Sequence, residues 1–522
     1  MSRSLPSLLL AGLLGLLSVA LLWPGFNLAD IVATDGIEGV LTGYNIRAVL
    51  NTLIIGVSVA TMATVLGFVV AFALTLTRVP GKSFLRALYL APLFGPSIMP
   101  ALGLIYLVGS NGLIFQWELY GPLGVFLASL IFALPHAILQ LTVSLETFDS
   151  RLINAAKSLN AGTWRCFTTV VVPHVRSALI NAFLITFVLT ITDFGVPKLL
   201  GGGFPMLATE IYSLAIENQE FSSSTVLCLG LLLPSVLAYY LSFKLKGRSQ
   251  KQVGTPIREE RWNTFEKLMG TLGWGIVLLE VASIAIVVYG SFVTFWPYQM
   301  AFTLDNYSTK ASVYGLDPWI NSLILAFSVA VIGTSLAFLG AYLCQRMPLM
   351  PEILKRLYEI LCSLPFCIPG TVLGLGFAIT FNGLSLFEGM IGGFFLLIFN
   401  TVVHLYTVSH LTATSALSQI NSQYETVGQS LGISHLKTVR SVVLPLSSSG
   451  MLEVFNYLFS SAITTISAVV FLYNAKTILA SIAAIQLIDS GFISNGSALC
   501  SLIFGSALIV RFFTLRLLKK SH

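Results

Sequence analysis

The sequence predicts an all-α membrane protein whose roughly twelve transmembrane helices form two parallel repeats of six. Three observations support this fold class. The 522 residues are 56% hydrophobic and 10% charged, whereas a soluble domain carries about 25% charged residues. Apolar runs near the ~20 residues that cross the hydrocarbon of a bilayer recur along the chain. Landmarks of the first half also recur in the second half at an almost constant offset.

The apolar runs define the predicted helices in order, with boundaries good to about two to four residues. A signal peptide is the alternative for the first run, because Arg3 precedes it. Its apolar core is longer than the roughly 7–15 residues of such signals, and no A-x-A cleavage site follows, so we predict a retained helix. The predicted helices cover residues 5–23, 52–77, 87–108, 122–145, 177–198, 225–243, 272–296, 320–343, 358–380, 389–411, 447–472 and 497–515.

The placement of cations predicts the orientation of these helices. With the N-terminus inside, the inside loops hold 24 of the 28 lysines and arginines. Only Arg47, Lys198, Lys310 and Lys476 then fall outside. A positive-inside bias of this size sets the topology and places both termini in the cytoplasm. The net charge of +6 is a consequence of this topology, and nothing in the sequence favours nucleic-acid binding.

The two halves of the chain share landmark residues at offsets of 268 to 273. These shared landmarks show that the chain contains an internal duplication. Each half contains six predicted spans, an even number, so both copies have the same orientation and are parallel repeats about an axis near the membrane normal. The matched pairs are Asn51 with Asn321, Arg78 with Arg346, Pro80 with Pro348, Pro92 with Pro365, Pro96 with Pro369, and Gly103 with Gly376.

The duplication predicts how the chain is organised. A polar, charged stretch with several glycines separates the two halves and is predicted to be a cytoplasmic linker rather than a folded domain. The predicted segments are a first transmembrane helix and external loop (1–47), repeat 1 (48–243), the linker (244–267), the first helix of the second half and its external loop (268–319), repeat 2 (320–515) and a cytoplasmic tail (516–522).

A polar, cation-containing element occurs twice between apolar runs, and we name the copies the first loop (154–173) and the second loop (426–445). Both contain Ser-Leu-x13-Pro, and the copies are 272 residues apart. Each predicts a helix, a turn at Asn160 or Gly432 in the left-handed region, and a second short helix. The closing proline of each copy suits the first turn of the next membrane helix. The second helix carries apolar residues at i, i+3 and i+6, namely Trp164, Phe167 and Val170, or Leu436, Val439 and Val442.

These loops resemble the cytoplasmic loop of ATP-binding cassette importer permeases, whose pattern is E-A-A-x3-G-x9-I-x-L-P. The first loop keeps Ala155, Ala156 and Pro173 of this pattern, and it has Asn154 and Asn160 at the acid and glycine positions. The second loop keeps Gly432, Leu444 and Pro445 and has the residues Thr426, Val427 and Gly428 at E-A-A, with Glu425 one place before the acid position.

The resemblance covers roughly residues 50–245 and 320–515 and implies a function. Each repeat would hold a type I importer permease core, and the chain would be the fused permease subunit of an ATP-driven importer in a bacterial inner membrane. Two copies of a separate ATPase, carrying ATP and Mg²⁺, would dock on the loops, and an external solute-binding protein would deliver the cargo. The implied docking residues are Ala155, Ala156, Ser158, Leu159, Asn160, Trp164 and Pro173 in the first loop, and Gly428, Ser430, Leu431, Gly432, Leu436 and Pro445 in the second.

Residues 191–212 and 402–417, with the run that ends at Tyr473, are similar to the fused permeases of 2-aminoethylphosphonate importers. This resemblance implies 2-aminoethylphosphonate as the cargo. Permeases for ferric iron, thiamine or polyamines are close alternatives. An ion-coupled secondary transporter is a further alternative, since twelve helices in a 6+6 parallel repeat also describe the major-facilitator layout.

The chain itself is predicted not to be an enzyme. Its Gly81-Lys82-Ser83 sequence lacks the earlier glycine of a phosphate-binding P-loop, because Leu76 stands there, and no strand precedes it. No cluster of His, Cys and carboxylate residues has metal-ligand spacing. We therefore expect no cofactor or metal on this chain.

Polar residues in two predicted spans are candidates for lining the transport pathway. Asn181 and Glu453 occupy equivalent positions after the two loops, and Asp193, Thr464 and Thr465 follow them. An ionisable group within a span is costly and usually faces a cavity or a partner. The alternative is that Asp193 and Glu453 lie near the membrane interfaces, where water reaches them.

Overall fold

The structure is a computed structural model, and it confirms the all-α fold class over the residues that it describes. These are residues 5–36, 40, 42–149, 151–246, 263–308, 314–347, 350–382, 393–421 and 423–521. The chain forms two compact units. The first unit contains Glu38–Ser312 and Ala484–Ser501, and the second contains Met1–Ile37, Val313–Ala483 and Leu502–His522.

Helices cover most of the described residues, together with one antiparallel hairpin of strands β1 (Val293–Phe295) and β2 (Gln299–Phe302). The helices are α1 (Leu5–Asp35), α2 (Gly43–Leu76), α3 (Lys82–Leu90), α4 (Ile98–Val108), α5 (Pro122–Glu146), α6 (Arg151–Ser158), α7 (Thr163–Cys166), α8 (Val172–His174), α9 (Arg176–Thr192), α10 (Gly195–Leu200), α11 (Leu207–Tyr212), α12 (Phe221–Lys246), α13 (Asn263–Gly290), α14 (Asp317–Arg346), α15 (Glu352–Ser363), α16 (Gly370–Asn382), α17 (Phe394–His404), α18 (Tyr406–Ser418), α19 (Gln423–Ser430), α20 (His435–Thr438), α21 (Leu444–Ile463), α22 (Ala480–Asp489) and α23 (Ile493–Ser521).

The number of membrane-crossing segments agrees with the predicted twelve. Among the described residues, 8 helices are long and apolar enough to cross a membrane, and 4 bent helix pairs raise the number to as many as 12. The eight continuous segments are Pro6–Thr34, Gly43–Leu76, Pro122–Glu146, Phe221–Leu245, Lys267–Gly290, Asp317–Arg346, Leu436–Ile463 and Ile493–Lys519.

The predicted spans 87–108 and 358–380 are not straight helices. In the first unit, Lys82–Phe94 and Ile98–Val108 meet at 107°, and in the second unit Glu352–Phe366 and Gly370–Phe381 meet at 108°. Two of the matched proline pairs, Pro92 with Pro365 and Pro96 with Pro369, lie at these breaks. Proline lacks the N–H of a helical hydrogen bond and restricts the residue before it, so it breaks a helix. The duplicated prolines therefore build the same bend twice.

Three other predicted spans are interrupted or end early in the structure, and the span 389–411 is bent by 56° between Phe394–His404 and Tyr406–Ser418. The span 177–198 is interrupted after Thr192, where α9 ends, and the span 447–472 stops at Ile463, where α21 ends. The span 272–296 stops at Gly290, and the β-hairpin follows it. Residues 389–392 of the span 389–411 lie outside the described residues, as do residues 247–262 of the predicted linker.

The leading helix of each half packs within the unit that holds the repeat of the other half. The sequence alone does not predict this packing. In the second unit, α1 packs on α16, where Asn27 Nδ2 donates to Thr380 Oγ1 at 3.1 Å. In the first unit, α13 packs on α2 and α4. The matched glycines lie at these contacts, since Gly103 adjoins the backbone of Ser283 and Gly376 adjoins Pro24.

Candidate functional site

The first loop folds as the predicted helix–turn–helix. Helix α6 ends at Ser158, and Asn160 adopts a φ of 59°, in the left-handed region. The Ala161 N–H donates to the Ala156 carbonyl at 3.0 Å, which closes the turn. Helix α7 follows and continues as the π-helical turn Phe167–Val171. Asparagine tolerates this backbone better than most residues do, which explains how it stands where the family pattern has glycine.

The second loop repeats this geometry. Helix α19 ends at Ser430, and Gly432 adopts a φ of 68°. The Ile433 N–H donates to the Gly428 carbonyl at 2.9 Å, the counterpart of the bond between Ala161 and Ala156. Helix α20 follows and continues as the π-helical turn Val439–Val443. The left-handed turn that the sequence predicts is thus confirmed in both copies.

Serine side chains close the last turn of the first helix in both loops. Ser158 Oγ donates to the Asn154 carbonyl, and Ser430 Oγ donates to the Thr426 carbonyl, each at 3.0 Å. In the second loop, α19 and α20 are closely packed, because a Cβ on Gly428 would lie only 2.6 Å from Thr438 Oγ1. The small residue of the second copy therefore lets α19 approach α20.

Large apolar side chains stand exposed on both loops. Leu159 is 84% exposed and Trp164 is 67% exposed on the first loop, and Leu431 at 70% and Leu436 at 62% are their counterparts on the second. Beneath Trp164, the Phe167 ring packs against Phe72 at a centroid distance of 5.6 Å. Apolar groups that extend into solvent from a rigid base are typical of a protein–protein contact.

The two prolines occupy different positions relative to the next membrane helix. Pro445 is the second residue of α21, as predicted. Pro173 lies one short turn earlier, in α8, and the chain bends by 63° between Thr163–His174 and Arg176–Thr192. The position predicted for Pro173 is therefore wrong, because Val175 leaves the helical conformation at ψ 6°.

Asn181 and Glu453 each contact the last helix of their own repeat. Asn181 is buried, and its Oδ1 accepts a hydrogen bond from Ser242 Oγ on α12 at 3.0 Å. Glu453 pairs with Arg511 on α23, with 2.9 Å between Oε2 and Nη1. These contacts join neighbouring helices within one unit. Arg511 was not predictable as the partner of Glu453, because it stands 58 residues away in the sequence.

The other three pathway candidates also hold backbone contacts. Asp193 Oδ2 accepts a hydrogen bond from the Val196 N–H at 2.9 Å and so caps the start of α10. Thr464 Oγ1 donates to the Ser460 carbonyl at 2.9 Å. The backbone carbonyl of Thr465 accepts from Ser481 Oγ at 2.7 Å. That Asn181, Asp193, Glu453, Thr464 and Thr465 line a pathway stays a prediction.

A cavity of about 720 Å³ lies in the second unit beside the second loop, and both polar and apolar residues line it. It is bounded by α18, the start of α19, α21 and the end of α23, and Glu453 is its one carboxylate among the described lining residues. Across the described part of the chain, no three His, Cys, Asp or Glu residues lie close enough together to hold a metal ion.

Charged groups fix the start of each loop. Just before the first loop, the Asp149 carboxylate accepts hydrogen bonds from Arg151 Nε and Nη2, and these bonds raise the pKa of that exposed guanidinium. Just before the second loop, Glu425 pairs with Arg346. The two loops therefore share their turn geometry but differ in the charges around it.

Comparison with known proteins places the chain in a family. Residues 63–248 and 349–521 match the model described as binding-protein-dependent transport system inner membrane component, and they make up more than half of the chain. The chain belongs to this family. It is a multi-pass membrane permease of the binding-protein-dependent, ATP-binding cassette importers. This membership removes the alternative of an ion-coupled secondary transporter.

The proteins that are similar to this chain are named for several different cargoes. The ferric transport system permease protein FbpB of Actinobacillus pleuropneumoniae is 28% identical over 493 residues, which cover 90% of this chain and 70% of that protein. The thiamine transport system permease protein ThiP of Brucella suis biovar 1 is 24% identical over 323 residues, covering 58% of this chain and 56% of ThiP. Both are permease subunits, which are not themselves enzymes.

A shorter relative supports the duplication. The molybdenum transport system permease protein ModB of Azotobacter vinelandii is 28% identical over 212 residues, which are 38% of this chain but 93% of ModB. Nearly all of that protein therefore aligns with less than half of this one. A single repeat of this chain is thus about as long as a complete permease of the same family.

Proposed function

We propose that this chain forms the translocation pathway of the importer by alternating access and docks two copies of a separate ATPase through the first and second loops. Both loops and both termini lie in the cytoplasm. An external solute-binding protein delivers the cargo. ATP and Mg²⁺ bind the ATPase subunits, and closing of their dimer moves the two loops.

The repeated turn with its exposed apolar side chains is the observation that supports this proposal best. The same left-handed turn occurs at Asn160 and Gly432. Each loop exposes a leucine beside the turn and, five residues later, a second large apolar side chain. Exposed apolar side chains on a well-packed loop can bind in a groove of a soluble partner, and the loop can then transmit a rigid-body movement. Because the two loops are equivalent, they suit two copies of the same partner.

Threonine in place of Gly432 is expected to uncouple the ATPase. No atom lies within 4 Å of a Cβ built at this glycine, so the new side chain has room, and the cost comes from the φ of +68°. A β-branched residue in this conformation costs roughly 1–3 kcal/mol. We expect about tenfold weaker co-purification of the ATPase and a loss of cargo-stimulated ATP hydrolysis, while the permease still inserts into membranes.

Gly203→Thr is the matched control for this experiment. A Cβ at Gly203 also meets no atom within 4 Å, and Gly203 does not have the positive φ of Gly432. Residue 203 is far from both loops in the sequence, so this variant is expected to bind and stimulate the ATPase normally. If Gly432→Thr behaves like Gly203→Thr in both assays, the second loop is not an ATPase-docking element.

For the cargo we propose 2-aminoethylphosphonate, supported by the similarity of residues 191–212 and 402–417 to permeases of that importer class. Ferric iron is the second candidate, favoured by the FbpB relative that spans 90% of this chain. The Arg511–Glu453 pair affects how either cargo could bind, because Glu453 already has a cation partner at 2.9 Å. A cargo ammonium or metal ion would compete with that guanidinium, so cargo selection is assigned to the external binding protein.

Experiments on the binding protein that works with this permease distinguish between the two candidate cargoes. Purified binding protein is titrated with 2-aminoethylphosphonate and, separately, with ferric citrate, and uptake of each compound is measured in membrane vesicles loaded with ATP. Saturable binding and uptake of the phosphonate alone supports the first proposal. Binding of iron alone replaces it with the second, and binding of neither rejects both while leaving the importer function intact.

A further inference from the structure

The two loops are held to their repeats by different chemistry. Immediately before the first loop, Ile153 on α6 is fully buried in an apolar cluster with Leu145 and Phe148. The equivalent position 272 residues later is Glu425 on α19, which is 7% exposed. A carboxylate therefore precedes the second loop where an apolar side chain precedes the first. A buried charge of this kind needs a partner.

Arg346, the last residue of α14, supplies that partner. Its Nη1 lies 3.5 Å from Glu425 Oε2, and the two side chains are only 5% and 8% exposed. Its Nη2 also donates to the carbonyls of Leu417 and Ile420, at the end of α18. A single guanidinium thus joins the end of a membrane-spanning helix, the end of α18 and the first turn of α19.

The chemistry of this contact requires arginine. The last carbonyls of a helix have no partner within the helix and carry its negative end, so they favour a cation. The planar fork of a guanidinium binds two carbonyls and a carboxylate at once, which an ammonium cannot do. Removing one member of such a buried pair leaves the other charge without compensation. Glu425 Oε1 accepts no further hydrogen bond from the described residues.

The first repeat is built differently at the matching arginine. Arg78 is the counterpart of Arg346 in the duplicated Arg-x-Pro landmark, and it is exposed. The position equivalent to Glu425 is the apolar Ile153, which offers a guanidinium no charge. A contact like that between Arg346 and Glu425 therefore has no equivalent at Ile153.

We propose that the Arg346–Glu425 pair positions the second loop against α14 and α18, so that the two ATPase-docking loops are held unequally. Arg346 is a positioning residue and touches neither ATPase nor cargo. The second loop moves together with α14 because a charged, directional contact joins them, whereas the first loop rests on an apolar base. The functional consequence rests on the docking role proposed for the loops, while the anchoring itself does not.

Hydrogen–deuterium exchange of the purified full-length permease tests the anchoring without any ATPase. In Arg346→Gln, we expect the amides of residues 423–436 to exchange at least about tenfold faster than in the wild type, and those of residues 151–164 to exchange at the wild-type rate. Glu425→Gln keeps the arginine and its carbonyl contacts, so it should give a smaller shift in the same segment. It also serves as the second variant if Arg346→Gln fails to fold. Arg78→Gln is the matched control and should leave the exchange of residues 423–436 at the wild-type rate.

The coupling test uses the reconstituted complex of permease, ATPase and binding protein. Arg346→Gln is expected to keep basal ATP hydrolysis and to lose most of its stimulation by loaded binding protein. Arg346→Lys should restore part of that stimulation, since one ammonium satisfies part of the contact. Arg78→Gln should be stimulated normally.

The outcomes separate this inference from the docking proposal. Equal exchange in Arg346→Gln and Arg78→Gln overturns the anchor, and faster exchange with undiminished stimulation overturns its positioning role. Failure of the docking proposal is detected independently, as normal ATPase binding by Gly432→Thr. In that case the exchange result still decides whether Arg346 anchors the second loop.

Discussion

Alanine in place of Gly340 is expected to lower the stability of the protein so far that most of the folded yield is lost. A Cβ at this position in α14 would overlap the hydroxyl of Tyr358 on α15, with Tyr358 Cζ only 2.6 Å away. Tyr358 is fully buried, and its hydroxyl shares a hydrogen bond of 2.6 Å with the hydroxyl of Tyr406 on α18. Overpacking of a core costs about 1–3 kcal/mol, and a broken buried hydrogen bond adds about 1–3 kcal/mol.

The source of this loss can be identified with a double mutant. Tyr358→Phe removes the overlapping oxygen, while Tyr406 keeps its hydrogen bond to the Leu336 carbonyl at 3.1 Å. Gly340→Ala should therefore cost less in the Tyr358→Phe background than in the wild type, with partial recovery because the ring carbon remains close. The measurement is the yield of monodisperse protein in detergent and its apparent melting temperature. Gly505→Ala, where a Cβ meets no atom within 4 Å, is the control.

Equal stability of the Gly340→Ala and Gly505→Ala proteins would show that α14 and α15 are not packed this closely. An undiminished cost of Gly340→Ala in the Tyr358→Phe background would show that the hydroxyl is not the obstacle. Both results are readable from the same melting curves.

Features that depend on neighbouring residues were predictable from the sequence. The left-handed turns at Asn160 and Gly432 follow from residue type within two short helical patterns, and the structure confirms both. The fold class and the approximate number of spans follow from hydropathy alone. The duplicated prolines identify equivalent positions, yet the bends of 107° and 108° at those positions were not predicted. A hydropathy window counts apolar residues and does not detect that the helix axis turns between them.

Features that depend on residues far apart in the sequence were not predictable. Glu453 was identified as an intramembrane acid, but its pairing with Arg511 joins residues that are 58 positions apart. Glu425 stands out in the sequence only as an acid one place from the family position, and its contact with Arg346 spans 79 positions. A single sequence contains no record of such pairings. For the same reason, the packing of α1 with the second repeat and of α13 with the first came only from the structure.

Alanine in place of Gly103 is expected to be at least as damaging as Gly340→Ala. A Cβ on this residue of α4 would meet the backbone of Ser283 on α13, with the carbonyl carbon at 2.8 Å and Cα at 2.9 Å. No rotamer change relieves a clash with backbone, so the two helices must separate along their contact. We expect a loss of about 3 kcal/mol or more and little folded protein in detergent.

The matched glycine of the second repeat supplies the comparison. A Cβ on Gly376 would lie 3.1 Å from Pro24 Cβ and 3.2 Å from Leu28 Cδ1, both of which are side-chain atoms. Because a leucine side chain can shift, Gly376→Ala should cost about 1 kcal/mol and leave the protein folded. Gly275→Ala on α13 meets no atom within 4 Å and is the neutral control.

The order of stability should therefore be Gly275→Ala, then Gly376→Ala, then Gly103→Ala, measured by apparent melting temperature at equal detergent concentration. A Gly103→Ala protein as stable as the Gly376→Ala protein would contradict the backbone contact between α4 and α13. The ranking separates two accounts of a glycine shared by both repeats. If the glycine is kept only because the repeats share an ancestor, alanine should be tolerated equally at Gly103 and Gly376. If the glycine is required by contact with the leading helix of the other half, the loss of stability should be larger where the neighbouring atoms are more rigid.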